Sequence, residues 1–325
     1  MKRLLTILLL LLAPGFLGAQ GSLQTGLPEP EDPEVQVFIA RQGRGRAQQG
    51  MDMYGKYIFS CEDGGHVNIY NYRKADPVPI AQFDLASSRK DNHANNAEFG
   101  VEKARGGSFP LLYISNGKVG SDIEWTCFVE SVSKRCGKWK STLVQKIILD
   151  GCDGWEENGY TAIFGAPSWL VDRERGFLWV FSAIKRTTPQ VTKVFSENLY
   201  VATKFRIPKL SEGPEVHLGL SDILDQKTFP FDMGFTQAGC MHDGLLYYCY
   251  GVGNKDESRP AGIRVYDTDS GKIVARYNLK EVVLQEPEDI VIRDGWLFLN
   301  ANTPSKSGIL PNIYKISLPK VNNEK

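Results

Sequence analysis

The stretch Glu286–Asn300, EPEDIVIRDGWLFLN, decides the fold. Its polar opening leads into the short apolar run Ile290-Val291-Ile292, then Arg293-Asp294-Gly295, then Trp296-Leu297-Phe298-Leu299. An Asp-Gly pair between two β-rich runs predicts a tight hairpin, because both turn positions need positive φ and these residues tolerate it best. A third run, Asn312–Ser317, alternates apolar and polar with period two and adds a strand. A unit of this kind cannot bury both its faces alone, so it requires neighbours built the same way.

The rest of the chain supplies them. Phe235–Cys240, Leu245–Tyr250, Gly262–Tyr266 and Lys272–Tyr277 form a four-strand meander, with Asp267–Gly271 as one of its turns. Before it, Gly165–Val171 and Phe177–Phe181 flank the Asp172–Gly176 turn, with Asn198–Phe205 and a weak strand near Val216 expected outside them. Earlier still come His93–Phe99, Leu111–Ser115, Trp125–Glu130 and Leu143–Leu149. The first unit is Gln48–Met53, Tyr57–Cys61, Val67–Tyr72 and Ile80–Leu85. The last unit lacks a fourth strand, and Glu34–Ala40, which has no hairpin partner nearby, is left over to supply it.

Five such meanders predict an all-β protein, a β-propeller of four-stranded antiparallel blades whose last blade is closed by an N-terminal strand. Closure matters because an open ring would leave a blade face and a row of backbone groups unpaired. The propeller occupies residues 34–320 as one domain, followed by a tail, 321–325. A six-bladed ring is the rival if the long segment from Gly165 to Gln226 hides another hairpin. Two sandwich domains are the other alternative, but no linker-like change of composition divides the chain.

Charge is balanced, 38 Lys+Arg against 38 Asp+Glu in 325 residues, so nothing points to nucleic acid as a partner. Lys2-Arg3, the apolar run Leu4–Leu12, Ala13-Pro14-Gly15 and the small pair Gly18-Ala19 have the order of a secretory signal peptide, residues 1–19, too short for a comfortable membrane span. The expectation is an exported protein, periplasmic, at the cell surface or secreted, monomeric and without a membrane span after cleavage. Residues 20–33, rich in Gly, Pro and Glu, read as a flexible leader. The 6 cysteines of an exported chain permit disulfides. Cys127, Cys136 and Cys152 are close enough in sequence for one pair, whereas Cys240 and Cys249 are out of register across their turn. No Cys-x-x-Cys pair suggests structural zinc.

In a propeller the first strand of each blade lines the axis, so the polar residues opening each unit converge. Here they are Gln48 and Gln49, then His93, Asn95 and Asn96, then Ser168, then Gln237, then Glu288 and Asp289. Two readings stand side by side: the residues satisfy one another and channel water, or they form a ligand or ion site on the axis. For an ion, Glu288 and Asp289 with the amide oxygens of Asn95 and Asn96 suit Ca²⁺, which takes oxygen ligands. For a ligand, Trp155, Tyr160 and Phe231, in the loops that precede the third and fourth units, offer faces on which sugar rings stack; alternatively they plug the gaps between blades. The ligand set is then Gln49, His93, Asn95, Trp155, Tyr160, Ser168, Phe231, Gln237 and Glu288. His93 fits the roles of base, ligand or plain hydrogen-bond donor. Glu98 with Glu288 or Asp289 would make a glycosidase carboxylate pair, if their separation allowed it. No Gly-x-Ser-x-Gly, His-Glu-x-x-His or nucleotide-binding Gly-rich loop is present.

The blade openings Gln-Gly-Met (49–51), His-Ala-Asn-Asn (93–96), Ala-Pro-Ser (166–168), Gln-Ala-Gly (237–239) and Glu-Pro-Glu-Asp (286–289) resemble those of secreted bacterial propellers. They look most like the five-bladed teichoic-acid-biosynthesis-like group and, more loosely, the gluconolactonase-like six-bladed group. The second likeness implies a divalent metal on inner-strand acids and Asn, with Glu288, Asn95 and Asn96 nearest to that pattern, but the Asp residues required on other blades are missing. Three functions follow as expectations: a propeller binding a carbohydrate or other small extracellular ligand at its channel mouth, a hydrolase or lyase using channel carboxylates with or without Ca²⁺, and a protein-interaction scaffold.

Overall fold

The turn at Asp294-Gly295 is left-handed at both positions, φ 50° and 73°. It joins Glu286–Arg293 to Trp296–Asn302 with Arg293 opposite Trp296, the hairpin that its Asp-Gly pair predicts. The computed structural model of the protein describes residues 26–41, 46–184, 198–231, 236–303 and 309–318. The segment 1–19, read from sequence as a signal peptide, and the tail 321–325 lie outside them.

Strands are numbered in chain order. Blade 1 is β2 (Gln48–Tyr54), β3 (Tyr57–Glu62), β4 (His66–Asn71) and β5 (Ala81–Asp84). Blade 2 is β6 (Asn96–Phe99), β7 (Leu112–Ser115), β8 (Thr126–Arg135) and β9 (Lys138–Leu149), with β13 (Glu215–Leu218) added outside. Blade 3 is β10 (Ile163–Asp172), β11 (Phe177–Ile184), β12 (Asn198–Arg206) and β14 (Asp225–Phe231). Blade 4 is β15 (Thr236–His242), β16 (Leu245–Tyr250), β17 (Gly262–Asp267) and β18 (Lys272–Asn278). Blade 5 is β19 (Glu286–Arg293), β20 (Trp296–Asn302), β21 (Asn312–Ser317) and, as its outermost strand, β1 (Val35–Ala40). The orphan strand therefore closes the ring, pairing antiparallel from Val35 opposite Ile316 to Ala40 opposite Asn312. The blades number five, not six, and the chain is one propeller.

Period-two alternation splits each strand between two seams, and the apolar core is accordingly five clusters, one at each junction between blades. In blade 3, Trp169 and Val171 pack toward blade 2 with Tyr113, Val129 and Ile147, while Leu170 packs toward blade 4 with Met241 and Tyr248. In blade 5, Ile290 faces blade 4 and Val291 faces Met51 and Met53 of blade 1. The seam between blades 1 and 2 holds Phe59, Phe99 and Phe109 in edge-on contacts.

One expectation is corrected, and one permitted pairing is not made. The weak strand near Val216 does not lie outside blade 3; it runs parallel to β9 in blade 2, Val216 opposite Ile147. Its expected place is taken by β14, which includes Thr228–Phe231, read from sequence as a loop. Pro230 is tolerated there because β14 is an edge strand and needs no second ladder of N–H donors. The pair that the sequence permits among Cys127, Cys136 and Cys152 is not made: no two cysteines are joined by a disulfide. Cys127 is buried in the seam between blades 2 and 3, Cys136 is exposed at the β8–β9 turn, and Cys152 precedes blade 3.

Candidate functional site

The innermost strands β2, β6, β10, β15 and β19 surround the axis. All run the same way, so their first residues lie at one face of the ring, here the upper face, and their last at the lower.

Midway down, carboxylates and amides tie the blades together. Asp289 of blade 5 accepts four hydrogen bonds: Met51 N at 2.8 Å and Ala97 N at 3.2 Å on Oδ2, Ile290 N at 2.8 Å and Asn96 Nδ2 at 3.2 Å on Oδ1. The same Asn96 amide donates to Gly239 O of blade 4 at 2.7 Å. Asp52 of blade 1 accepts from Phe99 N at 2.6 Å and from Arg173 Nη2 of blade 3 at 3.0 Å. Glu98 of blade 2 accepts from Val171 N, and Ser115 Oγ from Trp169 N at 2.8 Å. Ser168 Oγ bonds Tyr248 OH at 2.8 Å, and that hydroxyl donates to Gln237 O at 2.7 Å. Backbones meet here as well: a Cβ on Gly50 would lie 2.7 Å from Ala94 O, and Gly50 N donates to that oxygen at 2.8 Å.

The protons follow from these partners. Burial pushes the carboxyls of both Asp289 and Glu98 well above the usual range. In Asp289 the backbone N–H groups of Met51, Ile290 and Ala97 and the Asn96 amide pull the other way. With donors on both oxygens Asp289 has no acceptor to take a proton, so its hydrogen bonds oppose the effect of burial. Glu98 has one donor on Oε2, while its buried Oε1 has no partner; it is the neutral acid. Arg173, held above its ordinary value chiefly by Asp52, forms an ion pair with that carboxylate at 3.0 Å.

At the upper end a second polar chain crosses three blades. Gln237 Nε2 of blade 4 donates to Glu286 Oε1 of blade 5 at 2.9 Å. Glu288, on the same strand, is almost fully buried; burial first, and the Glu286 charge next, hold its carboxyl well above the usual range, and Asn302 hydrogen-bonds to it. Asn302 Oδ1 accepts from Gln48 N of blade 1 at 3.2 Å, and Gln48 Nε2 donates to Glu62 at 3.0 Å. Polar atoms cluster along this junction: among the described residues the buried Gln49 Oε1, Asn300 Oδ1 and Thr303 Oγ1 have no hydrogen-bond partner, and Asn300 Nδ2 donates to Gln49 O.

The structure thus brings Gln49, Ser168, Gln237, Glu288, Asp289 and Asn96 to the axis and disperses the rest. His93 sits at the upper rim, half-exposed, with Nδ1 2.9 Å from Asp63, whose carboxyl that contact holds low. Asn95 packs on the Gly117 backbone, where a Cβ would lie 2.3 Å from its Cγ, and its Oδ1 is unpartnered. Trp155 is 0% exposed in the seam between blades 2 and 3, and Tyr160 is partly buried against the same cluster, so Trp155 offers no face for a sugar. The Phe231 backbone closes β14; its side chain lies outside the described residues. As Ca²⁺ ligands, Asn96 and Asp289 are opposed by geometry: the amide nitrogen, not the oxygen, faces the carboxylate. Sequence reasoning missed Asp52, Glu62, Arg173, Glu286 and Asn302. Glu286 carried a signal, standing two residues before Glu288 in the acidic opening of the same strand.

No protein-family model matches the chain, and no curated protein matches it. Solved structures do. The tail fibre of Staphylococcus aureus phage P68 is similar at a TM-score of 0.52 and 12% identity over 88% of this chain, which spans about half, 53%, of the fibre chain. Glutaminyl cyclase of Myxococcus xanthus aligns at TM-score 0.46 and 12% identity, covering 89% of this chain and 97% of that one. An oxidoreductase of glucose dehydrogenase type from Thermus thermophilus aligns at 0.46 and 9%, covering 87% and 99%. These likenesses are of fold alone.

Proposed function

We propose that the protein is an exported binding propeller that holds a small polar ligand, a carbohydrate, at the upper mouth where blades 4, 5 and 1 meet. The observation that carries this is the chain Gln237–Glu286–Glu288–Asn302–Gln48 beside buried, unpartnered oxygens of Gln49, Asn300 and Thr303. Buried acceptors demand donors, and a ligand rich in hydroxyl or N–H groups provides them. Recognition then rests on hydrogen bonds and not on Trp155 stacking. The resemblance of the blade openings to the teichoic-acid-biosynthesis-like propellers supports export and a polymeric or sugar-like ligand. Thermal-shift screening of the full chain against oligosaccharides, followed by calorimetry, tests it. A binder should stabilise the wild type, and Gln237→Ala or Glu286→Gln should weaken it about tenfold, as loss of one buried polar contact does. Binding untouched by both variants, or no shift across the panel, removes this reading.

A second reading has its own support. Glu288, held protonated beside Glu286, is the acid member of an acid–base couple suited to a hydrolase or lyase. Turnover of a mouth ligand that disappears in Glu288→Gln while binding persists would favour it.

A further inference from the structure

We propose that Glu174, His242 and Asp243 form a site for a divalent transition-metal ion on the lower face, bridging blades 3 and 4. Glu174 lies in the β10–β11 turn, and His242-Asp243 opens the β15–β16 turn. One ligand atom from each residue lies within 4.8 Å of the other two, and among the described residues no other group of three His, Cys, Asp or Glu side chains converges so closely. His242 Nδ1 is 3.1 Å from Glu174 Oε1, and His242 Nε2 is 3.6 Å from Asp243 Oδ2. An ion bound tetrahedrally at about 2.0–2.1 Å sets neighbouring donor atoms about 3.3 Å apart, close to the first of these spacings.

The second carboxylate oxygen orients the site. Glu174 Oε2 accepts from the backbone N of Asp243 at 2.7 Å, leaving Oε1 turned to the imidazole. Such a bond fixes a ligand from outside the coordination sphere. The turn itself is set, with Asp243 and Gly244 left-handed at φ 49° and 77°. The Asp243 side chain is largely exposed and has room to swing toward the ion, while solvent fills the remaining position. The neighbouring guanidinium groups are both paired elsewhere: Arg175 with Asp172 and Asp269, at 2.6 Å and 3.0 Å, and Arg173, next to Glu174 in the chain, with Asp52 at 3.0 Å. An imidazole with two carboxylates selects a borderline ion such as Zn²⁺ over Ca²⁺ or Mg²⁺, which prefer oxygen alone.

Titration calorimetry of the full chain with ZnCl₂ tests the site. The expected result is one saturable equivalent, weakened at least about tenfold by His242→Ala and by Glu174→Gln. The control is His217→Ala, since His217 also lies between two carboxylates, Asp150 at 2.7 Å and Glu215 at 3.3 Å, on a different blade. It should bind zinc as the wild type does. Thermal melts without zinc check that each variant is folded, and because all three residues sit in surface turns Glu174→Gln reads the site even if His242→Ala does not fold. No saturable binding, equal binding by all variants, or a loss that follows His217→Ala instead overturns the assignment.

Discussion

Asp289 receives four N–H donors and Glu98 receives one, although both are buried at the same hub. Their substitutions should therefore diverge. Asp289→Asn turns an amide NH₂ against backbone donors and breaks an acceptor that joins three blades; a loss of about 3 kcal/mol or more is expected in urea unfolding. Glu98→Gln keeps the acceptor for Val171 N and places a neutral group where a neutral acid already stands, so a change within about 1 kcal/mol is expected. The pH dependence has a definite sign. Glu98 and Glu288 titrate higher folded than unfolded, so the native state holds protons that the unfolded chain releases. Their contribution is present below the ordinary glutamate range and is lost as pH rises from there through the raised folded values. Denaturant midpoints between acid and mildly alkaline pH should fall accordingly, and the double variant Glu98→Gln/Glu288→Gln should flatten that fall.

At the level of strands and turns, β1 carries the closure of the ring, with Ile39 buried at the seam between blades 5 and 1. Ile39→Ala should cost about 2–5 kcal/mol, read from thermal or denaturant melts, while Val37→Ala, at an exposed position, should cost little. Most strands were legible because the residues that make them speak locally: Asp294-Gly295 names its turn, and Val291 against Ile290 names two faces. β13 was legible as a weak strand near Val216 but its place was not, because a parallel pairing of Val216 with Ile147, about seventy residues earlier, leaves no local mark. β14 was obscured by Pro230, which reads as a loop residue until the strand is known to be an edge. The hub was half legible. Asp289, Asn96 and Ser168 were picked out by their place at blade openings, but the role of Asp52 depends on Arg173 and Phe99 arriving from other blades, which no spacing within MDMY shows. For Trp155 two readings stood open, a stacking face and a plug between blades, and its burial bears out the second; polar flanks in sequence do not reveal which way the ring turns.

In the whole molecule every blade depends on two seams, so removal of one large seam residue should be felt by all five. Trp169→Ala, fully buried between blades 2 and 3, is expected to lower stability by about 3–5 kcal/mol while calorimetry still records a single transition. Blades melting separately would contradict a hub held by Asp289, Asn96 and Asp52 across blade boundaries. The pairing of β1 with β21 also fixes how the protein meets mechanical load. Val35 lies opposite Ile316, so chain entering and chain leaving blade 5 do so at the same lower corner. A pull applied there first loads the bridge of Glu31 to Tyr277 and then opens the β1–β21 ladder one rung at a time, as a zip is opened, without loading all the rungs together in shear.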